Sequence, residues 1–117
     1  MAMFSSTVEN SLPFFEALLK AKGRSHSQLT GHLLYHKRLL NALTEITHNL
    51  LKNQIPISKL YKRQLQKSES HLKLLATKGE LTRKRHLLSN QKGKALLKLL
   101  LKATVRILKK HGSSIKQ

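Results

Sequence analysis

The sequence predicts an all-α fold, a small bundle of about four to five helices with a central antiparallel helix pair. Three observations predict it. Leu dominates the apolar residues and recurs at helical spacing. The β-branched and aromatic residues that favour strands are sparse, aromatics amounting to 4%. Gly and Pro fall between the Leu-rich runs, where they punctuate helices.

The first helix is expected from Leu12 to about Lys22, with residues 1–10 loose. Ser11 offers an N-cap oxygen, Pro13 sits in the first turn where its missing N–H is harmless, and Gly23 suits the C′ position. Phe14, Phe15, Leu18 and Leu19 fall on one side, and Gly23–Gly31 reads as a polar linker. The second helix runs from about Gln28 or His32 to Lys52 on a stripe of Leu33, Leu40, Leu43, Ile46 and Leu50, widened by Leu39 and Leu51. Asn53, Gln54, Ile55 and Pro56 end it, because the residue before proline avoids the α region. Ser58 then caps a third helix, Lys59–Lys78, stopped by Gly79 and marked by Tyr61, Leu65, Leu72 and Leu75. The short connection makes the second and third helices antiparallel, so that Leu40, Leu43 and Leu50 face Leu65, Leu72 and Leu75 across the Ile55–Ser58 turn. Thr82 caps a short fourth helix to about Asn90, and Gly93 breaks the pattern. A fifth helix, Lys94–Lys110, ends at Gly112 before a frayed tail. The chain divides accordingly into a short helix with a polar linker (1–31), a basic helical core (32–93) and a cationic amphipathic helix with its tail (94–117).

Charge narrows the function. The 117 residues hold 23 Lys+Arg against five acids, all Glu, for a formal net charge of +18. Small soluble domains manage with a charge of magnitude about 2–8. A surface this positive repels itself when compact, and phosphates relieve that repulsion. The first 22 residues are neutral, Lys20 and Lys22 balancing Glu9 and Glu16, whereas residues 82–110 carry ten Lys/Arg and no acid. The absence of cysteine excludes disulfides, thiolate metal sites and thiol catalysis. The five Glu are scattered, no two pairing on one helix face, and no strand precedes a glycine-rich phosphate loop. The chain is therefore expected not to be an enzyme and to take neither cofactor nor small-molecule substrate. His32 and His36 stand i, i+4, as zinc ligands can, but no Cys, Asp or Glu beside them completes a tetrahedral set, so no metal site is expected. His36, His71, His86 and His111 read as surface groups that become cations in acid. The N-terminus lacks a basic stretch before an apolar one, so it does not read as a signal peptide.

The basic residues are the candidate site. Arg83, Lys84 and Arg85 fall in the first turn of a helix, where free N–H groups also attract phosphate. Lys94, Lys98, Lys102, Arg106 and Lys110 repeat at i, i+4, each step turning about 40°, which makes a slowly winding cationic ridge. Lys92 and Lys109 flank the ridge, and Lys59, Lys62 and Arg63 add a second basic face. Asn and Gln do not line these faces and two tyrosines are too few for a stacking platform, so binding is expected to be electrostatic and indifferent to sequence. The fifth helix also sets Leu97, Leu100, Leu101, Val105 and Leu108 against its basic side, which keeps an anionic membrane surface as a second possible partner. Its most apolar stretch, Ala95–Leu108, is too interrupted by Lys98, Lys102 and Arg106 to span a bilayer.

Three stretches together resemble a known family: Leu50-Leu51-Lys52-Asn53-Gln54-Ile55-Pro56-Ile57-Ser58, His71-Leu72-Lys73-Leu74-Leu75-Ala76, and Leu81 through Gly93 with its Arg83-Lys84-Arg85 and Gln91-Lys92-Gly93. They are similar to the small basic protein of Polinton elements and adintoviruses, across residues 33–93. The resemblance departs at Lys94, where a second Gly is expected, and beyond it a cationic helix replaces the family's Gly-containing apolar tail. It implies a virion-associated protein, like the adenovirus core proteins, that accompanies packaged DNA in the virion or host nucleus, with capsid proteins as further partners. Charge and resemblance together lead to the expectation of a sequence-independent, DNA-condensing protein. The runner-up is a membrane-active or capsid-internal scaffolding protein, and a cellular ribosome- or RNA-associated basic protein shares the same electrostatics.

Overall fold

The computed structural model describes residues 5–115, and among them seven helices and no strand. The helices are α1 (Ser6–Lys20), α2 (Gly23–Tyr35), α3 (Lys37–Leu51), α4 (Lys59–Gln66), α5 (Glu69–Ala76), α6 (Leu81–Ser89) and α7 (Gln91–Ile115). The all-α expectation holds; the count of four to five is too low, because two expected helices are each broken in two, and the expected linker is helical as part of α2.

α1 begins six residues earlier than Leu12, since Ser5 and not Ser11 is its N-cap. The Ser5 hydroxyl oxygen accepts from the Val8 N–H at 3.4 Å, while the Ser5 N–H and hydroxyl donate to the Glu45 carboxylate at 2.8 and 2.7 Å. That clamp to α3 and the complete burial of Val8 account for order where a loose segment was expected. Ser11 lies buried inside the helix and donates to the Thr7 carbonyl at 2.8 Å, so Pro13 is an interior residue and not a first-turn one. α2 occupies the whole of the expected polar linker. Its Gly and Ser residues are poor helix formers, but burial of Thr30, Leu33 and Leu34 against α3 and α6 outweighs propensities of at most about 1 kcal/mol per residue. The expected second helix breaks at His36 (φ −113°, ψ 101°), which separates α2 from α3.

α3 buries Leu39, Leu40, Leu43, Ile46 and Leu50. It stops as expected, and the mechanism is a left-handed Asn53 (φ 59°): the Asn53 N–H donates to the Leu50 carbonyl at 3.0 Å and the Gln54 N–H to the Asn49 carbonyl at 2.9 Å. Ser58 caps α4, its hydroxyl oxygen accepting from the Tyr61 N–H at 3.3 Å. The expected helix 59–78 splits at Lys67 and Ser68. α5 packs on α3, Leu72 and Leu50 bordering one depression and Ala76 and Thr44 another, whereas α4 packs mainly on α7. The second half of the expected partner helix is therefore the part that packs chiefly on α3. Leu40, Leu43, Leu50, Leu65, Leu72 and Leu75 are all buried.

Gly79 (φ 76°) and Glu80 (φ 54°) turn the chain into α6, so the cap position belongs to Glu80 and not Thr82. Asn90 caps α7, its side-chain oxygen accepting from the Gly93 N–H at 2.8 Å. Gly93 thus stands inside the first turn of α7 instead of breaking the chain there. α7 also runs through Gly112, the expected stop, to Ile115; the terminal 116–117 of the expected tail and the side chain of His111 lie outside the description. One hydrophobic cluster joins residues from Val8 of α1 to Leu108 of α7, and the radius of gyration, 13.3 Å, matches the roughly 13 Å of a compact domain of this size.

Candidate nucleic-acid interface

α7 is oriented by its Leu face. Leu97, Leu100, Leu101, Val105 and Leu108 are buried, chiefly against α1, α4 and α6, which leaves Lys98, Lys102 and Arg106 on the outside. Between Lys98 and Arg106 the helix rises about 12 Å. Lys92, Lys109 and Lys110 are also exposed, and Lys94 is half-buried. Since the apolar face of α7 is in the core, it reaches a bilayer only if the bundle opens. No helix among the described residues is long and apolar enough to cross a membrane.

The fold packs together the two helices that carry the basic faces, α4 and α7. α4, carrying exposed Lys59, Lys62 and Arg63, lies against α7, and α1 closes a groove lined by Lys20, Tyr61, Lys102, Arg106 and Lys109. Lys20 and Tyr61 were not among the sequence candidates. The groove also holds an acid. Glu16 lies 3.0 Å from Lys109 and 3.5 Å from Lys20, and the hydrogen bond and charge of Lys109 hold the Glu16 carboxyl below its ordinary value. Residues 82–110 lack an acid in sequence, but the fold supplies one to Lys109 from α1.

The Arg83-Lys84-Arg85 trio does not form one phosphate-facing cluster. Successive helix residues point about 100° apart, so three in a row cannot share a face. Arg83 is exposed, 3.7 Å from Glu80. Lys84 is 1% exposed and must be removed from the interface: its ammonium donates to the Thr44 hydroxyl oxygen at 2.6 Å and to the Thr77 carbonyl. Burial pushes its pKa below the ordinary lysine value, with the Glu80 charge opposing. Arg85 is half-buried; its Nε donates to the Leu34 carbonyl at 2.6 Å and its guanidinium lies 5.3 Å from the Tyr35 ring centre. The inward turn of Lys84 had a signal in the sequence, since Leu81, Lys84 and Leu88 repeat at i, i+3, i+7.

A further basic cluster at the α2–α3 corner, with exposed His36, Lys37 and Arg38, was not singled out as a binding site. The His32 and His36 rings are 5.0 Å apart and His32 lies 5.6 Å from Phe14. No group of three or more metal-ligating side chains occurs among the described residues. Comparison of the chain with protein-family models, with curated proteins and with solved structures finds no match.

Proposed function

We propose that the chain is a non-catalytic protein that binds nucleic acid, duplex DNA foremost, by neutralising phosphates without reading sequence. The observation that carries this reading is the exposed run Lys98, Lys102 and Arg106, none of which has a carboxylate partner among the described residues. Lys59, Lys62 and Arg63 add exposed charge on the adjoining α4. Solvated helix faces ordinarily gain from mixed charges at i, i+4, and this one forgoes that gain. Each phosphate neutralised releases condensed counterions, which is the driving force. Together with the resemblance to the Polinton and adintovirus protein, the charge supports a role in condensing packaged viral or transposon DNA, in the virion or host nucleus.

If about six cations reach phosphates, affinity for duplex DNA is expected to fall roughly 10³-fold between 50 and 200 mM salt, equally for unrelated sequences. Replacing Lys98, Lys102 and Arg106 by Gln is expected to lower the log–log salt slope by nearly three, at about 0.9 per phosphate contact. Replacing Lys67, Lys73 and Lys78, exposed cations near α5, provides the comparison. Equal losses in the two triple variants would show that only total charge matters. No salt-dependent binding by the parent protein would end the proposal.

A further inference from the structure

The corner between α2 and α3 holds a feature that phosphate neutralisation does not require. Tyr35, the last residue of α2, is 78% exposed. One side of its ring is taken by Arg85, whose guanidinium lies 5.3 Å from the ring centre. Arg85 is itself fixed, because its Nε donates to the Leu34 carbonyl at 2.6 Å, and its other donors have no protein partner among the described residues. The ring lines a shallow depression with Thr7, His36, Lys37, Arg38 and Asn41, and no acid contributes to that lining. Arg85 alone would suffice to hold the end of α2. Tyr35 adds little to the packing, since most of its surface is in water.

We infer that this corner is a stacking site for an unpaired base of a nucleic-acid strand. The base lies on the open side of the Tyr35 ring, extending the stack that Arg85 begins, while Lys37 and Arg38 neutralise the phosphates on either side of it. Stacking on an aromatic ring tolerates any base, because every base has a π-face, and guanidinium adds a cation–π contribution. A base inside a duplex has both faces covered by its neighbours, so the site selects single strands, gaps and unpaired ends. Two tyrosines cannot form an extended platform, but one ring with an anchored arginine is enough for a single step. The inference rests on the reading that the chain binds nucleic acid, and it uses no residue of α7.

The test uses the full chain with three probes of equal length: oligothymidylate, the same strand made abasic throughout, and a duplex. In a Tyr61→Phe background Tyr35 is the sole tyrosine, and its fluorescence is expected to be quenched by oligothymidylate and not by the abasic strand. Tyr35→Ala is expected to weaken oligothymidylate binding roughly 5- to 150-fold, the range for loss of one stacked base. Tyr35→Phe is expected to retain that binding, and neither change is expected to alter affinity for the abasic strand. Equal affinity of the parent protein for the abasic strand and oligothymidylate, or an unchanged ratio in Tyr35→Ala, overturns the inference and leaves phosphate binding standing. Absence of salt-dependent binding to all three probes overturns both.

Discussion

Lys84 is a buried ammonium with two oxygen partners, the Thr44 hydroxyl and the Thr77 carbonyl, and no carboxylate bonded to it. Burial of a charge bonded to no carboxylate is costly, the Glu80 charge offsetting only part of it, and an apolar side chain of similar length removes that cost. Lys84→Met is therefore expected to match or exceed the parent in stability, and Lys84→Ala to fall about 2–5 kcal/mol below Lys84→Met, because it leaves a cavity. The pH dependence has a definite sign. Burial lowers the folded-state pKa of Lys84 below its unfolded value, so between the two the unfolded chain holds one more proton than the native one. Stability contributed at this position thus rises with pH through that window and is complete above the unfolded value. Denaturant melts of the parent and Lys84→Met at neutral pH and near pH 10 are expected to show the parent gaining on the variant as pH rises. A difference that does not change with pH would mean that burial does not disfavour the ammonium.

Gly93 and Gly31 separate two uses of glycine within helices. A Cβ at Gly93 would stand 1.7 Å from the Leu87 carbonyl oxygen and 2.5 Å from its carbon, so α7 starts pressed against the backbone of α6. A Cβ at Gly31 would meet nothing within 4 Å. Gly93→Ala is expected to destabilise by about 1–3 kcal/mol or more through overpacking, and Gly31→Ala in α2 to stabilise by roughly 0.5–1 kcal/mol. If Gly93→Ala melts at or above the parent, α6 and α7 do not meet so closely. The sequence marks Gly93 as a special position without showing that its constraint is a neighbouring backbone and not a turn. The two missed helix breaks have a similar cause. Leu33 to Leu40 and Leu65 to Leu72 are each seven residues apart. Two uninterrupted helical turns satisfy that step, and so does a helix that stops at His36 or Ser68 and resumes. Leu periodicity therefore gives the helical class and the buried faces, but it cannot register a reorientation that preserves phase. The Pro56 turn and the Ser58 cap were legible because their chemistry is local.

At the scale of the whole molecule the charge that favours a polyanion opposes the fold. A formal +18 is spread over extents of 38 × 27 × 26 Å. The Debye length is about 30 Å at 0.01 M salt and about 8 Å at 0.15 M, so in dilute buffer cations repel across most of the protein, and at physiological ionic strength only near neighbours do. The ridge of α7 was legible as a charge pattern; its joining to α4 was not, because that depends on the break at Ser68. The packing of α4 on α7 gathers Lys20, Lys102, Arg106 and Lys109 around one groove, with Glu16 already engaged by Lys109 and Lys20. The melting temperature is accordingly expected to rise between 10 and 150 mM salt, by roughly 4 °C for each kcal/mol of repulsion screened. Removing part of the charge must have the same sign. The variant with Gln at Lys98, Lys102 and Arg106 is expected to melt above the parent in dilute buffer and to approach it at 150 mM, although its DNA binding is weaker. These three side chains are exposed, so Gln leaves the buried Leu face of α7 intact and charge is the principal change. A variant less stable than the parent in dilute buffer would mean that the lysine and arginine stems contribute more by covering apolar surface than their charges cost.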